Sequence, residues 1–434
     1  MRGWSVNDLA ADIERRVTER DLLPGDRLPP VRTLAGELEI APNTVAGAYR
    51  RLGGRGITIG RGREGTFITA RPPVMIPSDP EIPFGVLDLS SGNPDPDLLP
   101  DLKSALQQVS DSTVLYGHPS LDTRLVEYGA ELLAADGIET DHVAVVSGGL
   151  DGMERVLQAH LRHGDRVAVE DPGYPPVIDL IGALGYVAVP VTIDDEGPLP
   201  ESLVEALDRG VAAVVVTPRA QNPFGSAIST ERATTLAMVL SEYPDVLVVE
   251  DDHASVVAGA PMHSIASGRE RWTTIRSAAK TYGPDVRLAL IAGDTVTIAR
   301  VEGRQRLGPG WVSHLLQQLV AQLMSDTAIN ASVADAAKLY ASRRQAMVAA
   351  LNARGLEGHG VSGLNVWVPV PDEATAATEM ERRGFAIRAG SRYRIRSSPG
   401  VRLSVASLDV ALADEVADAL YDAISELGPG SRSG

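Results

Sequence analysis

The stretch TTIRSAAK, residues 273–280, ends a short β-type run with a lysine. Residues 273–276 are typical of a strand, and the small residues after them leave Lys280 near a sheet edge. A lysine in such a place is desolvated and loses its proton readily, as an amine that forms imines must. The alternative is an ordinary lysine whose stem carries the amine out to solvent.

Five further runs of Val, Ala, Leu and Ile predict strands, and longer periodic stretches between them predict helices. These strands are residues 143–146, 166–169, 212–216, 246–249 and 288–292. The alternation predicts an α/β fold with a mainly parallel sheet and helices on both faces. A helical stretch near 311–355 then leads to a smaller C-terminal α+β part.

Ligands of such sheets bind beyond the carboxyl ends of the strands, so the residues that follow each strand are the site candidates. Ser147, Gly148 and Gly149 open a helix whose backbone N–H groups suit an anion, although an ordinary glycine turn is the alternative. Tyr174, in EDPGYP, can stack on a flat ring. Asn222, in QNPFG, can donate to a ring oxygen. A surface tyrosine and a turn asparagine are the alternatives.

A cluster of acids, Glu250-Asp251-Asp252-His253, follows the strand 246–249. Acids at a place due for burial need a cationic partner or water. A metal ion held by Asp251, Asp252 and His253 is one interpretation, and a protonated pyridine nitrogen is the other. Arg287 adds a second phosphate-binding cation seven residues after Lys280. Together these groups form the set that pyridoxal phosphate requires.

Lysine is rare in this chain, which contains only Lys103, Lys280 and Lys338 among 40 basic residues. Any chemistry that needs an amine therefore has three candidates. Lys103 and Lys338 both lie in polar-faced helical stretches away from the strand ends. Lys280 is the remaining candidate.

The N-terminal region differs in charge from the rest of the chain. Residues 1–71 hold 12 arginines and nine acidic residues, whereas the rest holds 28 basic and 48 acidic residues. A mildly basic head on an acidic body is expected if only the head meets nucleic acid. Helices predicted at 5–20, 30–38 and 44–53, followed by two short strands within 57–69, have the order of a winged helix-turn-helix.

The composition excludes several classes of protein. The chain has 434 residues and no cysteine, which excludes disulfides, cysteine-based zinc sites and thiol catalysis. No signal peptide is visible, and no apolar run reaches the roughly 18 residues that a membrane span needs. We therefore expect a cytoplasmic protein without a membrane partner.

Known motifs match these residues in order. SGG, EDPGYP, QNPFG, EDD and SAAK resemble the fold-type I, aminotransferase-like enzymes that use pyridoxal phosphate (PLP). GDRLPPVRTLAGELEIAPNTVAGAYRRL with REGTF resembles the GntR winged helix. Both together resemble the MocR subfamily of GntR-type regulators. We expect a winged helix-turn-helix domain at 1–70, a proline-rich linker at 71–87 and an aminotransferase-like domain at 88–434. Within the last, the large part spans about 110–310 and the small part about 330–434.

The resemblance implies a role for each matching residue. Lys280 forms the Schiff base with PLP, and Asp251 pairs with the pyridine N–H. The other implied contacts are Tyr174 on the ring, Asn222 at the ring hydroxyl, the Ser147–Gly149 backbone, Ser277 and Arg287 at the phosphate, and Tyr116 toward the partner subunit's phosphate. Arg402 binds an amino acid's carboxylate. The dimers of the family are head-to-tail.

Two departures bear on activity and on DNA recognition. His253 stands where the family usually has a tyrosine, which puts efficient transamination in doubt. In the head, the candidate DNA-binding residues are Arg32, Asn43, Thr44, Arg50, Arg61, Arg63 and Thr66. Base-edge readout by arginine is weak there, so we expect phosphate contacts, with Arg61 and Arg63 reading a minor groove. For Arg50 and Arg51, a solvated helix face is the alternative.

Three functions follow from these observations. The leading hypothesis is a transcription regulator that binds operator DNA and senses PLP, or a small amine or amino acid that reacts with it at Lys280. The second is an active PLP-dependent aminotransferase with an accessory DNA-binding head. The third is a metal-dependent α/β protein.

Overall fold

The computed structural model describes residues 4–18, 21–23, 25–54, 56–60, 65–69, 82–110, 114–266 and 268–425. The described residues within 1–80, with 161–167 and 176–188, form one compact unit, and the other described residues form a second. Most of the predicted linker lies outside the described residues, so the domain boundaries at residues 70 and 87 stay a prediction.

Three helices and a hairpin form the N-terminal fold, in the predicted order. They are α1 (Val6–Thr18), α2 (Val31–Glu37), α3 (Pro42–Gly54), β1 (Thr58–Gly60) and β2 (Thr66–Ile68), with the two strands antiparallel. Leu9 and Ile13 of α1 are buried in one core with Val45 and Leu52 of α3. Helix α3 begins earlier than predicted, at Pro42, because proline is well suited to a first helical turn.

An eight-stranded sheet carries the predicted strand ends. Strand β3 (Leu87–Asp88) precedes this sheet in the chain and is not part of it. The strands of the sheet are β4 (Val143–Val146), β5 (Arg166–Asp171), β6 (Val187–Asp194), β7 (Gly197–Pro198), β8 (Ala213–Val216), β9 (Leu247–Asp252), β10 (Trp272–Ser277) and β11 (Ala289–Gly293). Their spatial order is β4-β11-β10-β9-β8-β5-β6-β7. All six predicted strands are present, and β6 and β7 were not predicted.

Helices lie between these strands in the chain, from β3 onward, or directly after the last of them. They are α4 (Lys103–Leu106), α5 (Thr123–Ala134), α6 (Gly149–His160), α7 (Pro175–Ala183), α8 (Pro200–Asp208), α9 (Thr230–Ser241), α10 (Ala279–Tyr282) and α11 (Thr295–Arg306). The main core of this fold consists largely of Val, Leu, Ala and Ile, as the low aromatic content predicts.

Strand direction explains why Arg287 belongs to the site although it precedes its strand. Strand β10 runs parallel to β9, whereas β11 runs antiparallel to β10 and to β4. Ala289, the first residue of β11, pairs with Ser277 and with Val146, the last residues of those strands. The start of β11 therefore lies at the carboxyl edge of its neighbours, and Arg287 lies there with it.

The C-terminal part is α+β, as predicted. It contains α12 (His314–Ser325), α13 (Thr327–Ala353), β12 (Asn365–Pro369), α14 (Glu373–Arg382), β13 (Phe385–Ala386), β14 (Arg388–Ala389), β15 (Gly400–Ser404) and α15 (Ala413–Ser425). Strands β12, β15 and β14 form an antiparallel sheet, and β13 pairs with β3. The predicted helical stretch is two helices because Asp326 adopts an extended backbone and caps α13.

No helix among the residues described here is both long and apolar enough to cross a lipid bilayer.

Candidate functional site

One cavity of about 250 Å³ gathers most of the predicted site residues. Its lining includes Gly149, Tyr174, Asn222, Asp251, His253, Ser277, Lys280, Arg287 and Arg402. These side chains come from the ends of five strands, from the loop before β11 and from β15. The structure therefore brings together residues that are up to 253 positions apart in the sequence.

Lys280 lies in the short helix α10, and its side chain is mostly buried. Its Nζ donates to the carbonyl oxygen of Gly92 at 2.6 Å. Burial, with the positive charge of Arg402 as a smaller cause, lowers the pKa of Lys280 to about 8. A larger fraction of this amine is neutral than in an ordinary lysine, which is the form that attacks a carbonyl.

Asp251 is a buried acid without a hydrogen-bond partner for one oxygen. Its Oδ1 accepts no hydrogen bond from the described residues, although the side chain faces the cavity. Burial, followed by the negative charges of Asp252 and Glu170, raises the pKa of Asp251 to about 7. Such a carboxyl suits a cationic N–H, whose charge would favour its ionised form.

Asp252 has an entirely different environment. It accepts from Arg219 Nε and Nη2 at 2.9 Å each and from Arg276 Nε at 2.6 Å. Asp136 contacts the same two arginines at 3.0 and 2.6 Å. Burial alone would raise the pKa of Asp252, but Arg276 and Arg219 outweigh burial and lower it to about 2.

The metal-site hypothesis fails on these contacts. Asp252 is held by two arginines, and among the described residues no group of three or more His, Cys, Asp or Glu side chains could hold a metal ion. His253 donates from Nε2 to the carbonyl of Ala220 at 2.8 Å, because a carbonyl can only accept. Asp252 and His253 are therefore each engaged by protein groups and do not converge with Asp251 on one point.

His253 is a neutral imidazole at ordinary pH. Burial and the positive charge of Lys280 lower its pKa to about 4, although the hydrogen bond to Ala220 opposes this. Its Nδ1 carries no proton, since Nε2 is the donor. A neutral ring that accepts at Nδ1 thus lines the cavity where the family usually has a tyrosine.

Asn222 and Arg402, which both line the cavity, contact each other. Arg402 Nη1 donates to Asn222 Oδ1 at 3.2 Å, and Arg402 Nη2 donates to the carbonyl of Ser90. This contact orients Asn222 so that its amide N–H groups point away from Arg402. The Arg402 guanidinium also lies over the ring of Tyr393, 5.3 Å from its centroid.

The predicted anion-binding turn is only partly assembled around the cavity. Gly148 has φ +100°, and a Cβ there would lie 2.9 Å from Arg287 Nη2, so its backbone packs directly on that guanidinium. Ser147 does not line the cavity, and its N–H donates to the Asp151 carboxylate at 2.9 Å. The amides of Gly148 and Gly149 are the stronger candidates for anion contacts.

Tyr116 does not line the cavity. Its side chain is 92% exposed, and its ring meets that of Trp311 edge-on at 5.5 Å. An exposed tyrosine is compatible with the predicted contact to a partner subunit, which the single chain does not test.

Sequence reasoning missed part of the lining. Gly92, Asn93, Leu364 and Asn365 also border the cavity. The sequence predicts no strand near residue 88 or at 365–369, so neither segment has a predicted strand end. Gly92 has a φ of +68°, and a Cβ there would lie 3.2 Å from Arg402, so this position favours glycine.

The head exposes part of the predicted DNA-binding set. Arg32 of α2 and Asn43 and Arg50 of α3 are exposed, whereas Thr44 and Thr66 are half-buried. The opposite face of α3 is buried in the core of the head. Arg61 and Arg63 lie outside the described residues.

Comparisons with known proteins agree with both folds. Residues 6–68 match the family of bacterial regulatory proteins called gntR, and residues 85–420 match aminotransferase class I and II. A kynurenine aminotransferase from Pyrococcus horikoshii superposes with a TM-score of 0.73 over 80% of this chain and 92% of that chain, at 23% identity. The fold and site therefore define a DNA-binding transcription regulator with an aminotransferase-like domain, whose cofactor is PLP.

Two curated relatives narrow this class. The vitamin B6 salvage pathway transcriptional repressor PtsJ of Salmonella typhimurium is 37% identical over 98% of this chain and 99% of that protein. The pyridoxine biosynthesis regulator PdxR of Corynebacterium glutamicum is 28% identical, over 77% of this chain and 76% of that protein. The chain belongs to the MocR subfamily of GntR-type regulators.

The residues present fit PLP. Asp251 offers a buried oxygen without a partner, and a ring N–H⁺ would supply that partner. Gly149, at the start of α6, and Arg287 both line the cavity, so a helix N-terminus and a guanidinium face the same space and suit a phosphate. A mostly buried amine with a lowered pKa completes the set.

Proposed function

We propose that this regulator binds operator DNA through its winged helix and adjusts that binding to PLP held at Lys280. The observation that carries the proposal is one cavity lined by Lys280, Asp251 and Arg287, in a chain that also has a DNA-binding head. A dedicated cofactor site on a DNA-binding chain is useful as a sensor because ligand binding can shift the balance between two DNA-binding states.

Each residue has a proposed part in holding the cofactor. Lys280 attaches it covalently, Asp251 pairs with the ring nitrogen, and Tyr174 covers one ring face. Asn222 and His253 contact the ring hydroxyl, while Gly148, Gly149, Ser277 and Arg287 bind the phosphate. The N–H of Ser147 is already donated to Asp151, so Ser147 stays outside this set. PLP itself supplies an aldehyde that condenses with amines and a ring that withdraws electrons.

PLP is the effector we favour, and a small amine or amino acid that reacts with it is the other candidate. The PtsJ relative is named for vitamin B6 salvage, which supports PLP itself. Arg402 supports an amino acid, because its buried guanidinium lines the same cavity and suits a carboxylate.

We further propose a head-to-tail homodimer that binds double-stranded DNA. Tyr116, exposed beside Trp311, would reach the partner's phosphate group. On each head, Arg32, Asn43, Thr44, Arg50, Arg61, Arg63 and Thr66 would contact DNA, mainly at phosphates. Two heads in a closed dimer address two half-sites of an operator.

A DNA mobility-shift assay tests the proposal. The full chain is mixed with DNA from upstream of its own gene, with and without PLP, beside the Lys280→Ala variant. We expect specific binding whose affinity changes with PLP in the wild type and does not change in Lys280→Ala. Absence of specific binding under both conditions would overturn the proposal.

Aminotransferase activity is the second candidate, because Lys280 and Arg402 line one cavity. The neutral His253 beside Lys280 argues against efficient turnover, since no phenol is present at that position. Sustained conversion of an amino donor and a keto acid would support the enzyme. A single half-reaction would support the sensor.

A further inference from the structure

Asp171 is a buried carboxylate that joins two distant segments of the chain. It is the last residue of β5, three residues before Tyr174, and is 3% exposed. It accepts from the backbone N–H groups of Ile395 at 2.9 Å, Arg396 at 2.7 Å and Ser397 at 2.9 Å. The hydroxyl of Ser397 adds a fourth hydrogen bond at 2.8 Å.

These contacts form a small anion nest. Three consecutive backbone N–H groups converge on one carboxylate, as such groups do around bound anions. The two sides are 224 to 226 residues apart in sequence. A second bond reinforces the junction, because the N–H of Gly173 donates to the carbonyl of Tyr393 at 2.8 Å. The loop that presents Tyr174 is thus fastened to the segment 393–397.

The segment 393–397 leads directly to Arg402. Glu373 connects this segment to β15, because it accepts from Arg394 at 2.9 and 3.0 Å and from the N–H of Gly400 at 3.2 Å. Gly400 is the first residue of β15, which carries Arg402. The Tyr393 ring also lies under the Arg402 guanidinium. The segment therefore bears on the position of this arginine through Tyr393 and through Glu373.

We infer that Asp171 is a positioning residue, which fixes Arg402 relative to Tyr174 across the cavity. The inference rests on the proposed function for the roles of Tyr174 and Arg402. Asp171 does not line the cavity. It acts through the backbone of 393–397, so that the carboxylate-binding arginine keeps its place relative to the ring-covering tyrosine. Preference for a ligand with a carboxylate then depends on Asp171.

Asp171→Asn is the decisive variant, because an amide places N–H groups where the nest needs an acceptor. Asp326→Asn is the matched control: Asp326 also accepts two backbone N–H groups, from Ala328 and Ile329, but it caps the start of α13. Hydrogen exchange by mass spectrometry on the full chain needs no ligand. We expect faster exchange in 393–397 and in 400–404 for Asp171→Asn and wild-type exchange there for Asp326→Asn. Wild-type exchange at 400–404 in Asp171→Asn would overturn the inference.

A ligand measurement gives the functional arm. On PLP-loaded protein, affinities for L-alanine and for ethylamine are measured from the change in visible absorbance. We expect Asp171→Asn to reduce the preference for L-alanine about tenfold, since a lost hydrogen-bond partner in a buried nest has an effect of that order. The affinity for ethylamine, which has no carboxylate, stays near that of the wild type. An unchanged preference contradicts the inference.

The two proposals fail in different ways. A wild-type protein that binds no PLP, or shows no preference for L-alanine, overturns the proposed roles in the cavity, and the exchange result still decides the role of Asp171. If Asp171→Asn does not fold, Ser397→Ala removes one of the four bonds and leaves the carboxylate in place. It is expected to raise exchange at 400–404 by a smaller factor, and no rise there counts against the inference.

Discussion

Asp251 and Asp252 are adjacent in β9, yet the pKa of the first is raised to about 7 and that of the second is lowered to about 2. Successive side chains of a strand point to opposite faces. One carboxyl therefore faces the cavity with an oxygen that accepts no hydrogen bond from the described residues, and the other faces two arginines. The same strand end supplies a ligand-binding acid on one side and a structural ion pair on the other.

Lys280→Ala should abolish the covalent attachment of PLP. Borohydride reduction of the PLP-loaded wild type should leave one phosphopyridoxyl group on the chain, with the mass of the cofactor less water plus two hydrogens, and peptide mapping should locate it at residue 280. Lys338→Ala is the control, since the Lys338 side chain is 77% exposed and pairs with Asp335 on the surface. A reduced adduct that persists in Lys280→Ala would place the amine elsewhere.

Asp251→Asn should stabilise the cofactor-free protein, and the gain should depend on pH. Below about pH 4 the carboxyl is protonated in both the folded and the unfolded chain, so the two proteins differ little. Between pH 4 and pH 7 the unfolded chain ionises first, because the folded pKa is raised to about 7, and the wild type loses stability. At pH 8 we expect the variant to gain on the order of 1–3 kcal/mol.

Urea unfolding at pH 4 and at pH 8 measures this difference. The same variant should bind PLP more weakly, because an amide does not pair with a cationic ring nitrogen as a carboxylate does. Equal stability of the variant and the wild type at pH 8 would show that burial does not raise the pKa of Asp251 in the folded chain.

Asp252→Asn should destabilise the fold by about 3–5 kcal/mol, because it leaves two buried arginines with too little negative charge. The wild-type contribution is complete above the unfolded pKa near 4 and is lost as the pH falls toward the folded pKa of about 2. Asp335→Asn, which breaks the exposed pair with Lys338, should have no measurable effect. Urea midpoints at pH 7 test both variants. A midpoint for Asp252→Asn close to that of Asp335→Asn would contradict a stabilising role for the buried ion pairs of Asp252.

Arg50→Ala should weaken DNA binding to all sequences alike. An arginine that neutralises one phosphate changes the slope of log affinity against log salt by about 1. Arg15→Ala is the control, because Arg15 lies on α1 and pairs with Asp12. Binding titrations at three salt concentrations measure the slopes. An unaltered slope for Arg50→Ala would favour the solvated-face interpretation of this residue.

The sequence predicted the strands and most of the site because the signal is local. Runs such as 246–249 and 273–276 show a strand by composition, and the residues after them fall at a known edge of the sheet. The prediction ended β5 and β9 too early, at 169 and 249. Both strands continue through their acidic residues because Asp171 and Asp252 find partners in distant parts of the chain.

The remaining features depend on contacts that have no local signature. Asp171 accepts hydrogen bonds from backbone N–H groups, which residues of almost every type carry. The sequence at 395–397 therefore does not predict the nest. Glu170 is similar: it is buried and accepts from Thr217 N at 2.9 Å and Gln221 Nε2 at 3.1 Å. Burial raises its pKa to about 7, and its charge contributes to the state of Asp251. Only the folded chain shows this relationship.

The antiparallel direction of β11 has a consequence for how the cofactor is gripped. Lys280 and Arg287 both lie in the short connection between β10 and β11, two paired strands of one hairpin. The covalent anchor and the phosphate anchor are therefore parts of a single local unit. Neither anchor belongs to β15, so a displacement of that strand leaves the spacing between the two anchors unchanged.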